Sequence, residues 1–352
     1  MFGINVTKYL EIGFVGFEET IDALGGVYVD VDRNYTTREL GVAIAAGYRR
    51  LSGQEALAFA RFRKDQNYDF GRMARQQRVL AGIREQAMTW TLPLKLPGVV
   101  KTALGSVVTN LSANEILRLA YWLVRLEGQR MTQIVITAPT AMIDGKSVVI
   151  ADENALKEAV IKFLTPPDYA LNPGTVSDVY PEAGATESAQ NAGQFASFTV
   201  AANTVPDSRM WQAAQEEVSF PLRAPAFLPD GFHFIYRSPE HGTYQIDPDG
   251  DSRPAVRMVY QYQATDLYLG VSATTWTDAP LAAKGDEVQI DGVTYTLVGT
   301  KNKVHHVWWK ADGVLYFISN TLMHTVSRDD LLKMASSAKP VAASSAAVAS
   351  LR

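Results

Sequence analysis

The chain has 352 residues, 47% hydrophobic and 20% charged, with a formal net charge of -4. That balance excludes an intrinsically disordered chain and a strongly basic polyanion binder, and the length leaves room for two domains. There is no cysteine, which excludes disulfides, thiolate metal sites and cysteine-based catalysis.

No run of about 18 apolar residues stands out as a membrane span, and residues 1–15 lack the basic and apolar regions of a signal peptide. The chain is therefore expected to start inside a domain. Leu10, Ile12 and Phe14 alternate with polar or small neighbours and predict a strand, and Phe17, Ile21 and Leu24 a short helix ended by Gly25-Gly26. Val27, Val29 and Val31 predict a second strand, with Asp30 and Asp32 on its other face. Two carboxylates so spaced suit oxygen ligation of a divalent cation, but a polar face turned to solvent is the commoner outcome and is the reading preferred here.

Ser52-Gly53-Gln54-Glu55 has the form of a capping box and predicts a helix carrying Ala56, Leu57 and Phe59 inward up to Arg61. Residues 61–84 then hold seven Lys or Arg against two Asp, concentrating the basic charge of an acidic chain. Leu80, Ile83, Ala87 and Trp90 recur at helical spacing, so Asp69 is the expected N-cap of a helix reaching about Trp90. Projected back, that stripe lands on Gln76 and Arg72, which turns a guanidinium inward and demands an anion to meet it. Arg61 and Arg63, at alternate positions, share a face if extended. With the free N–H groups of the helix start, Arg61, Arg63, Arg72 and Gln76 form a donor set suited to a phosphate-like ligand. Pairing of these arginines with Asp65, Asp69 and Glu85, or plain solvation, stands as the alternative.

Downstream, Ser112 to Glu115 is a second capping box, opening a helix with Ile116, Leu119, Ala120 and Leu123. Residues 134–136 and 148–150 predict short strands, and Asp152 caps a helix with Leu156, Val160 and Phe163 inward. This alternation indicates a layered α/β domain over residues 1–165. Residues 166–207 have the Pro, Gly, Ala, Ser and Thr profile of a flexible linker. Strands predicted over 232–237, 256–262, 267–274, 287–290, 293–298, 306–309 and 314–318, with Asp291-Gly292 and Asp312-Gly313 as turns, give a smaller α+β domain over 208–340 with an antiparallel sheet and a terminal helix. Residues 341–352 are an expected disordered tail. Trp308, Trp309 and Tyr316 read as sheet core before sugar platform. His305, His306 and His324 lack zinc spacing.

Arg61-x-Arg63-x-Asp65, then Asp69-Phe70-Gly71-Arg72-x-x-Arg75-Gln76-Gln77, preceded by Ile21-Asp22-Ala23-Leu24-Gly25-Gly26-Val27 and Leu51-Ser52-Gly53, resembles the signature of the LytR-CpsA-Psr cell-wall glycopolymer transferases. Only the second half of that family's catalytic domain is matched, followed by an accessory domain of a kind loosely similar to small α+β domains on bacterial envelope proteins. The resemblance implies a magnesium-dependent phosphotransferase that moves a glycopolymer from a polyprenyl-pyrophosphate carrier to peptidoglycan. Arg61, Arg63 and Arg72 would be catalytic and, with Arg75 and Gln76, substrate-binding. It implies an extracytoplasmic, envelope-associated protein held at the membrane by an N-terminal helix that this sequence lacks; the negative net charge and the lack of a known groove-reading motif argue against a nucleic-acid partner. The magnesium ligands are not identified, so transfer is expected to be incomplete in this chain. A non-catalytic binder of polyprenyl phosphate or wall glycan is the alternative.

Overall fold

The computed structural model describes residues 6–37, 41–66, 68–87, 107–125, 140–143, 146–150, 152–164, 208–235, 242–300 and 303–341. The chain divides into two compact units, one of residues 1–9 and 127–200, the other of residues 10–126 and 201–352. The architecture is mixed α/β, and every strand pairing among the described residues is antiparallel.

The larger unit opens with strand β1 (Leu10–Ile12) and helix α1 (Phe14–Ala23). Phe14 thus starts a helix where alternation predicted more strand. Gly25 and Gly26, at φ +86° and +90°, end α1 in the left-handed region that glycine enters without a Cβ penalty. Strand β2 (Val27–Val31) follows, then the hairpin β3 (Tyr35–Thr37) and β4 (Val42–Ile44), and β5 (Gly47–Leu51), which pairs with β2 from Val27↔Leu51 to Val31↔Gly47. Helix α2 (Gly53–Arg61) begins at the expected capping box: Ser52 Oγ accepts from the Glu55 N–H, and Glu55 Oε2 accepts from the Ser52 N–H at 2.8 Å. Ala56, Ala58 and Phe59 pack with Ile21, Val29 and Val31 in one core.

Asp22 adds a third partner at this helix start, its Oδ1 accepting from the Gly53 N–H at 2.7 Å. The approach of α1 to α2 requires glycine at 53, where a Cβ would lie 2.2 Å from the Glu18 carbonyl oxygen. Gly53→Ala is therefore expected to force the helices apart and destabilise the protein by about 1–3 kcal/mol. Thermal denaturation checks this; an unchanged midpoint would show that the contact yields.

Helix α3 (Tyr68–Ala87) starts one residue before Asp69, which therefore lies in the first turn and is not its N-cap. Residues 88–90, the expected end, lie outside the described residues. The buried face of α3 is also one position away from the expected one: it runs through Gly71, Arg75, Val79 and Gly82, while Leu80 is 61% exposed and Gln76 is exposed. The inward-facing guanidinium is Arg75, and Arg72 is half-buried. Strand β6 (Val107–Thr109) pairs with β1, and helix α4 (Ala113–Arg125) starts at the Ser112/Glu115 box. Leu119 on α4 is exposed.

In the smaller unit, β7 (Thr140–Ile143) and β8 (Lys146–Val149) form a hairpin, and α5 (Glu153–Leu164) is capped by Asp152, which accepts from the N–H groups of Asn154 and Ala155. Leu156 and Val160 are half-buried, and Phe163 is exposed. The strand expected at 134–136, the linker over 166–207 and the tail from 342 onward lie outside the described residues.

The larger unit resumes with α6 (Ser208–Glu217) and β9 (Arg223–Pro225). An eight-stranded sheet follows, in the order β10 (Phe232–Phe234), β12 (Arg253–Tyr262), β13 (Tyr268–Thr274), β17 (Val314–Ser319), β16 (Lys303–Ala311), β15 (Val293–Thr300) and β14 (Asp286–Ile290), with β11 (Gly242–Ile246) also on β12. Asp291-Gly292 and Asp312-Gly313 have positive φ at both residues, as tight hairpins require. Helix α7 (Arg328–Ser336), capped by Ser327, and β18 (Ala338–Pro340), paired with β9, complete the fold. Trp309 and Tyr316 stack at 5.4 Å in the sheet core. His324 Nε2 lies 2.8 Å from His305 Nδ1.

Residues 10–126 and the C-terminal sheet form one unit, which differs from the division expected at residues 166–207. The physical reason is a shared interior. Tyr28 and Tyr48 pack with Trp276 and Phe317, the Tyr48 N–H donates to Tyr244 Oη at 3.0 Å, and Arg257 on β12 donates to Asp30 Oδ1 at 2.6 Å. Arg78 on α3 reaches both the Asp30 and the Asn320 carbonyl oxygens.

Candidate functional site: the arginine segment

Arg61 is the last residue of α2, where a cation meets the negative end of the helix dipole. Its side chain is exposed, with the guanidinium 4.3 Å from the centre of the Phe14 ring. Phe62 leaves helical geometry at φ -57°, ψ 134°, and Arg63 and Lys64 follow it, exposed, on the short connection to α3.

Arg75 holds that connection in place. Its side chain is fully buried; Nη1 pairs with Asp65 Oδ2 and Nη2 donates to the Phe62 carbonyl oxygen. The guanidinium also lies over the Phe62 and Tyr35 rings, 5.3 and 5.6 Å from their centres. Buried arginine is thus met by a carboxylate, a carbonyl and two aromatic faces, which is how its desolvation is offset. In this structure Arg75 binds its own chain.

Arg72 and Gln76 stand one helical turn apart on α3, flanking the buried Arg75 row. The structure therefore separates the five candidates by role. Arg61, Arg63 and Gln76 are exposed, Arg72 is half-buried, and Arg75 ties the segment of the first two to the helix of the others.

The Asp30 and Asp32 side chains do not form a solvent-facing pair, contrary to the preferred reading. Asp32 is 2% exposed and accepts from Tyr35 Oη at 2.8 Å. Asp30 sits between Arg257 and Arg78; burial works to raise its pKa, but the two guanidiniums outweigh burial and hold the carboxyl below its usual value. Among the described residues no group of three or more His, Asp or Glu stands ready to hold a metal.

Two contributors were not anticipated. Arg33 lies over the Tyr35, Phe62 and Tyr268 rings at 5.2, 5.7 and 5.7 Å, and Asp266, from the C-terminal sheet, pairs with it at 2.9 Å. Nothing in local spacing marks Asp266, which is 200 residues from the segment it meets.

Fold and site together define a mixed α/β domain with an arginine segment between two packed helices. Residues 1–162 match the model of the LytR_cpsA_psr family. It is 39% identical over 111 residues to the regulatory protein MsrR of Staphylococcus aureus (31% of this chain, 34% of MsrR). Identity is 35% over 161 residues to the cell wall biosynthesis protein LcpA of Corynebacterium glutamicum (43% and 30%). To the polyisoprenyl-teichoic acid–peptidoglycan teichoic acid transferase TagU of Bacillus anthracis it is 34% over 113 residues (32% and 37%). The chain spans about a third of the length of these curated relatives.

Proposed function

We propose that the arginine segment binds the pyrophosphate of a polyprenyl-linked glycan, and that the protein serves the transfer of glycopolymer to peptidoglycan in the cell envelope. The observation that carries this reading is the exposure of Arg61, at the end of α2, and of Arg63, on the connection that Arg75 fastens to the helix bearing Arg72 and Gln76. Three guanidiniums, whose planar forks match phosphate oxygens, suit a multiply charged phosphate ligand when held on a pre-formed backbone. The names of LcpA and TagU support the wall-polymer role.

In such a transfer the acceptor hydroxyl oxygen forms a bond to the glycan-side phosphorus, the bond from that phosphorus to the bridging oxygen breaks, and polyprenyl phosphate leaves with the bridging oxygen. The hydroxyl proton passes to a base. Arg61, Arg63 and Arg72 would bind the pyrophosphate and offset the charge that grows on the leaving phosphate. The magnesium implied by family resemblance finds no fitting donor set among the described residues: Asp30 is taken by two arginines and Asp32 by Tyr35.

Titration calorimetry with geranylgeranyl pyrophosphate tests the reading. Arg63→Ala is expected to weaken binding by about 1.5–3 kcal/mol, roughly tenfold or more, as for one charge-assisted contact. Equal affinity of wild type and variant would overturn it.

A further inference from the structure

The turn joining β12 to β13 reaches the arginine segment. It carries Asp266, whose two carboxylate oxygens do different things: Oδ1 accepts from Arg33 Nη1 at 2.9 Å, and Oδ2 accepts from the backbone N–H of Gln66 at 2.8 Å. Gln66 directly follows Asp65 and lies three residues beyond Arg63. Arg33, the other partner, stacks on Phe62 at the opposite end of the same segment and on Tyr268 of the C-terminal sheet.

Residues 62–66 are thus held from two directions. From α3, Arg75 takes the Phe62 carbonyl and the Asp65 carboxylate. From the C-terminal sheet, Asp266 takes the Gln66 amide and fixes the cation that lies on the Phe62 ring. We propose that Asp266 is a positioning residue for the arginine segment, so that the C-terminal module sets the backbone from which Arg63 projects. This rests on the pyrophosphate reading above.

Asp266 acts by pre-organisation. The partly buried ion pair fixes the Arg33 side chain but does not by itself restrain the backbone of residues 62–66. A carboxylate that also accepts from a main-chain amide restrains φ and ψ next to the binding residues, and restraint made before the ligand arrives is not charged against binding. Without Asp266 the segment samples other conformations, and the apparent affinity falls by the fraction of time it spends in the competent one. Loss of one charge-assisted hydrogen bond shifts such a balance by about tenfold.

The experiment measures affinity for geranylgeranyl pyrophosphate, hydrogen exchange of residues 62–66 and the thermal midpoint, in wild type, Asp266→Ala, Asp266→Asn, Arg63→Ala and the double variant Arg63→Ala/Asp266→Ala of the full chain. Affinity is read well below each variant's midpoint, so a simple stability defect does not register as weaker binding. Asp266→Ala is expected to bind about tenfold more weakly with faster exchange at Gln66, and Asp266→Asn, which keeps an acceptor for that amide, to fall between. In the double variant the effect of Asp266 on affinity should largely vanish, because it acts through Arg63. Wild-type affinity in Asp266→Ala, with Arg63→Ala impaired, overturns the positioning role and leaves the pyrophosphate reading intact. Faster exchange in Asp266→Ala together with no binding by wild type overturns the pyrophosphate reading, and the positioning role with it, while the anchor at Gln66 stands.

Discussion

Arg75→Ala is expected to destabilise the protein by about 3–5 kcal/mol, the usual consequence of leaving a buried carboxylate without its cation. Asp65 is 7% exposed and has Arg75 as its ion-pair partner, and the same substitution deprives the Phe62 carbonyl of its donor and two aromatic rings of the guanidinium over them. Urea unfolding followed by circular dichroism measures the loss. The control is Arg75→Met combined with Asp65→Leu, which removes both charges and is expected to recover most of the stability, since a buried ion pair contributes little beyond an apolar pair of similar size. Recovery of stability should not restore pyrophosphate affinity, because methionine cannot hold the Phe62 carbonyl and the segment carrying Arg63 would be released. An Arg75→Ala variant within about 1 kcal/mol of wild type would show that Asp65 finds water or another cation.

The contrast between Arg72 and Arg75 shows what the sequence could and could not tell. Both lie in the same motif, and local pattern alone put the inward face through Leu80 and Gln76. Leucine at 80 suggested burial, yet it is exposed, and the close approach to β2 occurs at Gly82, where a Cβ would lie 2.3 Å from the Tyr28 carbonyl oxygen. A helix phase set by a glycine contact and a buried arginine is invisible to a rule that counts apolar residues. Capping boxes at Ser52 and Ser112 were legible because every atom involved lies within four residues. The strands of the C-terminal sheet were legible for a similar reason, with alternation and Asp-Gly turns close in sequence. The contacts of Asp30 with Arg257, and of Gln66 with Asp266, span 227 and 200 residues, and no periodicity reports them. They also explain why a chain that seemed to be two modules on a linker has residues 10–126 and the C-terminal sheet in a single unit.

Stability should fall as pH rises through neutrality, and Glu85→Gln should abolish much of that fall. Glu85, on α3, lines a cavity of about 50 Å³ with Asp30, Tyr48, Arg78, His305 and His306. Burial pushes its carboxyl up to about 8; Arg84 and Arg78 pull the other way, and Asp30 adds to the rise. The folded-state value exceeds the ordinary 4.5, so the unfolded chain releases this proton first. The stabilising contribution is full below about 4.5 and is lost as pH climbs through about 8, with ~1.4 kcal/mol for each unit of separation. His305, held by burial and by Arg78 at about 3, acts in the opposite sense, its contribution fading as pH falls below 6.5. That term is common to both proteins, so the difference between Glu85→Gln and wild type isolates the carboxyl. Glutamine resembles the protonated acid in size and in hydrogen bonding. The two unfolding free energies should therefore coincide near pH 4 and diverge to favour the variant by on the order of 3 kcal/mol near pH 9, after allowance for the carboxyl's partial contact with water. Urea titrations at half-unit pH intervals would trace both curves. Parallel curves across that range would mean that Glu85 is ionised in the folded protein, paired with Arg78 or Arg84 instead of being held neutral by burial.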